Sequence, residues 1–171
     1  MKYINAIIDE INVSVLEGTT IMEAADSIGA HVPRLCYHPF LSTEGACRIC
    51  VVEVEGYNNY LPACATKLRE GMVIKTNSPE IRQCRRDLVE LLLDNHPKEC
   101  LTCERDGNCE LQNLSYKLGV RERLYEGSRK IHPIENSSVS VIRNAEKCIL
   151  CGRCVRRSEE RRVGKECRSR W

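Results

Sequence analysis

The chain has 171 residues, of which 12 are cysteines and 5% are aromatic, and its net charge is +2. No apolar run approaches the roughly 18 residues of a membrane span, and no signal-peptide pattern opens the chain, so we expect a cytoplasmic protein. The sequence has no stripe of basic residues interleaved with aromatic residues, the pattern that would indicate nucleic-acid binding. Because disulfides are rare in the cytosol, clustered cysteines there favour metal or redox sites.

The first 78 residues show the pattern of a hairpin, a helix and further strands. Alternating apolar residues indicate strands, and apolar residues at i, i+3, i+4 and i+7 indicate an amphipathic helix. This order predicts an α+β fold whose first domain, residues 1–78, is a small β-grasp (ubiquitin-like) unit. The predicted segments are strands at 3–8, 11–15, 48–54 and 72–76 and a helix at Ile21–Ile28.

A long helix is predicted to begin at Ser78 and Pro79, a cap followed by proline, and to stop before His96. Its predicted apolar face consists of Ile81, Cys84, Leu88, Leu91 and Leu92. A second helix is predicted over Glu110–Leu118.

The first cysteine set has the spacing C-x10-C-x2-C-x13-C. Four thiolates can hold one [2Fe–2S] cluster, two on each iron, and Gly45 and Ala46 leave room for backbone N–H groups to approach it. A zinc knuckle also uses C-x2-C, but structural zinc sites usually have two such pairs. Core or disulfide cysteines are the third interpretation. The set is Cys36, Cys47, Cys50 and Cys64.

The second set has the spacing H-x3-C-x2-C-x5-C. Three thiolates and one imidazole suit either tetrahedral zinc or a [4Fe–4S] cluster, and the set read alone does not separate the two. A neighbouring iron–sulfur site favours the cluster. The set is His96, Cys100, Cys103 and Cys109.

The third set, Cys148, Cys151 and Cys154, has the spacing C-x2-C-x2-C that opens a bacterial ferredoxin motif. That motif continues with x3-C-P, but position 158 is serine and no second motif follows. The set is therefore an incomplete [4Fe–4S] site. Cys167 is a less favoured candidate for its fourth ligand.

The remaining histidines and one cysteine have simpler interpretations. Cys84 lies on the predicted apolar helix face and is expected to behave as a small core residue. His31, His38 and His132 are expected to be loop residues, and the alternative for His38 is packing over the first cluster.

These motifs resemble one family of enzymes over residues 1 to about 156. The chain resembles the N-terminal region of monomer-type and NADP-reducing [FeFe]-hydrogenase catalytic subunits, which is similar to the large iron–sulfur subunit of complex I and to NAD-dependent formate dehydrogenases. The matching text is PRLCYHP (33–39), GACRICVVEV (45–54), NHPKECLTC (95–103), GNCELQ (107–112) and KCILCGRCV (147–155).

The resemblance implies a [2Fe–2S] cluster on the first set and a His-ligated [4Fe–4S] cluster on the second. It also implies a small helical domain at 79–118 with one histidine and three cysteine ligands, a linker at 119–137, and a truncated bacterial-type [4Fe–4S] ferredoxin domain at 138–156. A further [4Fe–4S] cluster is then expected only in a full-length protein. The implied partner is an NADH- and flavin-binding subunit or a ferredoxin, with peripheral membrane association only for a complex I-like parent.

Residues 157–171 differ in composition from the rest of the chain. They hold 6 Lys/Arg and 3 Glu, which leaves 20 basic and 21 acidic residues, a net charge of −1, in residues 1–156. This tail resembles a translated sequencing adapter, so we expect it to carry no function.

The predicted function is one-electron transfer in a fragment of an oxidoreductase, most simply an [FeFe]-hydrogenase, without a catalytic site of its own. The same module of complex I or formate dehydrogenase is the alternative parent. A zinc-binding structural module is the alternative of another class.

Overall fold

The structure is a computed structural model that describes residues 2–121 and 131–162, with the side chains of 158–162 excepted. The predicted linker therefore lies partly outside the described residues. Cys167 and most of the predicted artefactual tail lie outside them as well. The chain forms a mixed α+β fold that contains a ferredoxin-like sheet domain.

The N-terminal hairpin pairs β1 (Tyr3–Ile8) with β2 (Ile11–Leu16) in antiparallel register. Its two turn residues, Asp9 and Glu10, have φ values of 47° and 70°. Positive φ at both turn positions matches the right-handed twist of the strands. Both predicted strands are confirmed, the second one residue longer than expected.

Helix α1 (Ile21–Ser27) follows the hairpin and covers the sheet. Thr20 caps it, and a capping box with Glu23 satisfies two backbone N–H groups. The predicted helix is confirmed and ends one residue earlier than expected.

Three more strands complete a five-stranded sheet: β3 (Val51–Val54), β4 (Leu61–Pro62) and β5 (Val73–Lys75). The strand order is β2-β1-β5-β3-β4, with β1 and β5 parallel and the other pairs antiparallel. The short strand β4 was not predicted. The prediction of a strand from residue 48 was wrong at its start, because Arg48 has a φ of 58° and residues 48–50 belong to a turn.

Two long helices lie beyond the sheet: α2 (Pro79–Asp94) and α3 (Glu110–Leu118), both as predicted. The predicted face of α2 was wrong in part. Leu91 is 49% exposed, whereas Arg85 is buried between Ile81 and Val89. Arg85 is buried because backbone carbonyls outside the helix accept its hydrogen bonds.

The last described element is α4 (Arg153–Arg162), which begins inside the third cysteine motif. Within the described residues there are two buried apolar clusters, one between α1 and the sheet and one among α2, α3 and the cysteine loops. None of the helices in the described residues is long and apolar enough to cross a membrane.

Candidate metal centres

The first cysteine set lies at the edge of the sheet domain, in the loops around β3 and β4. Cys36, Cys50 and Cys64 are buried, and Cys47 is half-buried. Gly45 has a φ of +63°, and a Cβ built on it would lie 4.0 Å from the Cys64 Sγ atom. The loop can pass this close to the thiols because glycine adopts the left-handed conformation without strain.

The four thiols of this set interact as two pairs. The Cys47 thiol donates to Cys36 and, with the N–H groups of Cys47 and Ala46, lowers the pKa of Cys36 to about 5. The Cys64 thiol likewise lowers the pKa of Cys50 to about 7. The same hydrogen bonds raise the pKa values of Cys47 and Cys64. One thiol of each pair is therefore poised to be a thiolate, the form that binds metal.

Backbone N–H groups surround the Cys36 and Cys47 sulfurs. The Cys36 N–H donates to the Cys47 Sγ at 3.4 Å, and the N–H of Ile49 also acts on Cys47. Hydrogen bonds of this kind stabilise negative charge on sulfur and tune a bound cluster. The local turn at Gly45 and Arg48 thus directs backbone N–H groups toward the sulfurs. In a regular strand the same N–H groups would form hydrogen bonds with a neighbouring strand.

Arg85 of α2 supports this loop from the other side. Its side chain is 2% exposed, and its Nε and Nη2 atoms donate to the carbonyl oxygens of Ile49 at 3.1 Å and Val51 at 2.7 Å. Burial lowers its pKa to about 10, so it remains charged at neutral pH. The role of Arg85 was not predicted from the sequence, where its signal was a charged residue between Ile81 and Val89 at helical spacing.

The structure brings the second set together around one cavity of about 30 Å³, which His96, Cys100, Cys103 and Cys109 all line. Each residue sits at the end of a local element. His96 follows α2, a 3-10 turn carries Cys100 and ends at Cys103, and Cys109 is the N-cap of α3. The four donors therefore converge where two helices and a turn meet.

The imidazole of His96 has a backbone oxygen near each nitrogen. Nδ1 lies 3.2 Å from the Pro97 carbonyl and Nε2 lies 3.3 Å from the Lys147 carbonyl. A neutral imidazole has one N–H, so it donates to one carbonyl and carries a lone pair on its other nitrogen. In a metal-bound histidine one ring nitrogen binds the metal and the other commonly donates to a carbonyl, and either of these two carbonyls could accept that hydrogen bond.

The third set lies on a tight turn and the start of α4. Leu150 and Gly152 have φ values of 55° and 66°. Cys151 is half-buried, whereas Cys148 and Cys154 are exposed. Cys148 also lines a larger cavity with His96, Cys103 and Cys109, so the third set borders the second.

Arg153 links the turn of the third set to the loop that carries Cys36. Its Nη2 donates to the carbonyl of Leu35 at 2.6 Å and that of Tyr37 at 3.2 Å, and its Nη1 pairs with Glu110 at 2.6 Å. It therefore holds the backbone on both sides of Cys36.

Arg156 lies one turn further along α4 and is 1% exposed. Its guanidinium donates to the carbonyls of Ser42 and Cys36, and to that of Cys151 at 3.3 Å. Neither arginine was predicted from the sequence, where their signal was a pair of arginines spaced i, i+3 at the end of a cysteine motif.

One apolar cluster joins the three sets. Its buried residues are contacted by one partly buried cysteine from each set: Cys47, Cys109 and Cys151. The three candidate sites are therefore neighbours across a single core. The buried members of this cluster are Leu35, Ile49, Val89, Leu111 and Leu114.

The donor sets fit iron–sulfur clusters in their chemistry. The eleven cysteines of the described residues are free thiols. Within residues 2–121 and 131–162, no group of three His, Cys, Asp or Glu side chains is placed to hold a single metal ion. The thiolates of a polynuclear cluster bind different iron atoms, so they need not meet at one point.

The three remaining histidines have the loop environments expected from the sequence, whereas Cys84, expected to be a core residue, belongs to neither buried apolar cluster. Cys84 is half-buried on α2, and burial raises its pKa. His31 and His132 are exposed. The His38 Nδ1 accepts from the Phe40 N–H at 3.3 Å, and the two rings lie 5.7 Å apart, as in an ordered loop.

Two family models match the chain. Residues 2–79 match a 2Fe-2S iron–sulfur cluster binding domain. Residues 85–123 match the NADH-ubiquinone oxidoreductase-G iron–sulfur binding region.

Curated relatives share these regions. The chain is 44% identical over 162 residues to the NADP-reducing hydrogenase subunit HndD of Solidesulfovibrio fructosivorans, covering 90% of the chain and 27% of that protein. It is 38% identical over 159 residues to an NADH-quinone oxidoreductase subunit of Rhizobium meliloti, covering 92% and 19%. The chain thus spans about a quarter or less of the length of these relatives.

A solved structure is similar over most of the chain. It is the crystal structure of an NAD+-reducing [NiFe]-hydrogenase in the H2-reduced state. The TM-score is 0.84 at 32% identity, and the match covers 92% of this chain and 67% of that one.

Proposed function

We propose that this chain, which belongs to the iron–sulfur electron-transfer proteins, passes single electrons between two clusters of its own. Proteins of this kind combine a 2Fe-2S cluster binding domain with an NADH-ubiquinone oxidoreductase-G iron–sulfur binding region. The first four cysteines hold a [2Fe–2S] cluster. His96 and the second three cysteines hold a [4Fe–4S] cluster. Cys148, Cys151 and Cys154 are three ligands of a further [4Fe–4S] cluster that needs a fourth from elsewhere.

The observation that carries this proposal is the shared apolar cluster beneath Cys47, Cys109 and Cys151. Clusters bound at neighbouring positions on one rigid core can exchange electrons without large movement of their ligands. The low polarity of that core also excludes water from the space between them. A chain that held isolated structural metals would not need this common contact.

The chain's own groups then have defined roles. Iron–sulfur clusters supply one-electron redox chemistry, with potentials set by ligand type, hydrogen bonds to sulfur and burial. The thiolates and His96 hold the irons, and the backbone N–H groups near Cys36 and Cys47 stabilise negative charge. A neutral His96 in place of a thiolate makes the second cluster easier to reduce than an all-cysteine site.

We propose three modules, at 1–78, 79–118 and 138–156, joined by a linker at 119–137. In this arrangement the first is a β-grasp [2Fe–2S] domain, the second a small helical His-Cys-Cys-Cys domain, and the third the start of a ferredoxin domain. The free thiols needed for cluster binding fit a reducing compartment, so we also propose a cytoplasmic location.

The parent enzyme we propose is an NAD(P)-linked hydrogenase, because an NADP-reducing hydrogenase subunit is 44% identical to the chain. The large iron–sulfur subunit of complex I is the second candidate, because an NADH-quinone oxidoreductase subunit is 38% identical. In both cases the electron donor or acceptor on one side is an NADH- and flavin-binding subunit or a ferredoxin.

Anaerobic reconstitution with iron and sulfide, followed by EPR of the reduced protein, tests the cluster assignments. We expect one [2Fe–2S] and one [4Fe–4S] signal, with Cys64→Ser removing the first and Cys109→Ser removing the second. Binding of zinc in stoichiometric amount without any iron–sulfur signal would establish the zinc module instead.

A further inference from the structure

The guanidinium of Arg156 lies between the first and third cysteine loops. It donates to the carbonyl of Cys36 in the first set and to that of Cys151 in the third. A third hydrogen bond goes to the carbonyl of Ser42. Because the side chain is 1% exposed, these contacts are shielded from water and tie the two loops to one rigid group.

The charge of Arg156 is weakly balanced compared with that of its neighbour. Arg153 pairs with Glu110 at 2.6 Å. The Nε of Arg156 lies 3.8 Å from the Glu44 carboxylate, beyond hydrogen-bond distance, and the Glu44 side chain is 50% exposed. The Nε atoms of Arg153 and Arg156 are both buried without a hydrogen-bond partner, so the two arginines differ in their distance to a carboxylate. A buried cation is costly unless charge nearby compensates it.

The first cysteine set supplies such charge once it is loaded. Four thiolates and two sulfides outweigh the charge of two ferric irons, and reduction adds one more electron. Arg156 contacts the backbone of a ligand of this set, so its positive charge favours the reduced state. The loaded site in turn compensates the buried cation.

We propose that Arg156 is a positioning residue that joins the first and third cysteine loops and raises the reduction potential of the [2Fe–2S] cluster. This inference rests on the proposed cluster in the first set. One side chain, that of Arg156, then both holds the third cysteine loop against the first and raises the reduction potential of the cluster in the first set.

The test is an EPR-monitored redox titration of the reconstituted full chain and its Arg156→Gln variant. At the midpoint potential of the parent chain, we expect the ratio of reduced to oxidised [2Fe–2S] cluster to fall roughly tenfold in the variant. For a one-electron couple this equals about 59 mV. Arg156→Lys keeps the charge and should stay close to the parent value.

Arg157→Gln is the matched control, because Arg157 is exposed on the same helix and its replacement removes the same formal charge. It should lower the potential less than Arg156→Gln does. A loaded Arg156→Gln variant with the parent potential, or an equal fall in Arg157→Gln or Arg156→Lys, would overturn the inference.

If the Arg156→Gln variant does not bind the [2Fe–2S] cluster, a second variant tests the inference. Glu44→Gln removes the carboxylate 3.8 Å from the Arg156 Nε, so the loss of its negative charge and the stronger action of the cation should both raise the midpoint. Glu55→Gln, at an exposed site in the same domain, should raise it less. Equal midpoints for these two variants contradict the inference. Absence of any [2Fe–2S] signal in the parent chain would instead contradict the proposed function.

Discussion

The Nη2 atom of Arg85 lies 2.7 Å from the carbonyl oxygen of Val51, and its Nε lies 3.1 Å from that of Ile49. This pair of hydrogen bonds attaches helix α2, which leads to the second ligand set, to the loop that carries Cys47 and Cys50. The two candidate sites therefore share a buried structural support as well as an apolar core.

Replacing Arg85 with methionine should destabilise the protein. The change leaves the Ile49 and Val51 carbonyls buried without their donor, which costs about 1–3 kcal/mol for each lost partner. Urea denaturation should show a lower midpoint for Arg85→Met than for Arg82→Met, an exposed position one turn earlier on α2. Equal midpoints for the two variants would show that the buried guanidinium adds nothing.

Cysteines inside and outside the ligand sets should respond differently to replacement. Cys50→Ser removes a proposed [2Fe–2S] ligand, so the signal of that cluster should disappear and the iron content should fall. Cys84→Ser changes a half-buried cysteine on α2 that belongs to no set, and both signals should remain. Loss of the [2Fe–2S] signal in Cys84→Ser alone would reverse the assignment.

Changing His96 to cysteine should keep a cluster in the second set and lower its reduction potential. The reason is that a thiolate ligand brings a negative charge that neutral imidazole lacks. A redox titration of the [4Fe–4S] signal measures the shift. His132→Ala, at an exposed loop position, is the control and should not move it. An unchanged potential in His96→Cys would argue against ligation by His96.

Replacing Gly45 with alanine should alter the first cluster, because Gly45 has a φ of +63° and its built Cβ lies 4.0 Å from the Cys64 Sγ. An L-residue in the left-handed region costs about 1 kcal/mol, and relief of that strain shifts the neighbouring loop. Gly56→Ala, at a φ of +83° with open space around it, should lose similar stability. We expect the EPR line shape of the [2Fe–2S] cluster to change in Gly45→Ala only; the same change in both variants would refute the local explanation.

Much of the local structure could be predicted from short-range patterns. The hairpin, α1, α2 and α3 appear close to their predicted bounds, because side-chain periodicity and capping act within a few residues. The start of β3 was predicted too early. Residues 48–50 form a turn beside Cys47 and Cys50 instead of a strand. Arg48 adopts a positive φ there, which the alternating apolar pattern does not reveal.

The candidate donors can be identified from the amino-acid sequence alone, since a thiol or imidazole at a given spacing carries its chemistry wherever the chain folds. How these sets are joined, and which charges lie beside them, depends on the tertiary fold. Arg85 reaches a carbonyl 34 residues away, and Arg156 reaches one 120 residues away. No local pattern identifies such partners, because a buried guanidinium is stabilised by whichever carbonyls the completed fold brings to it.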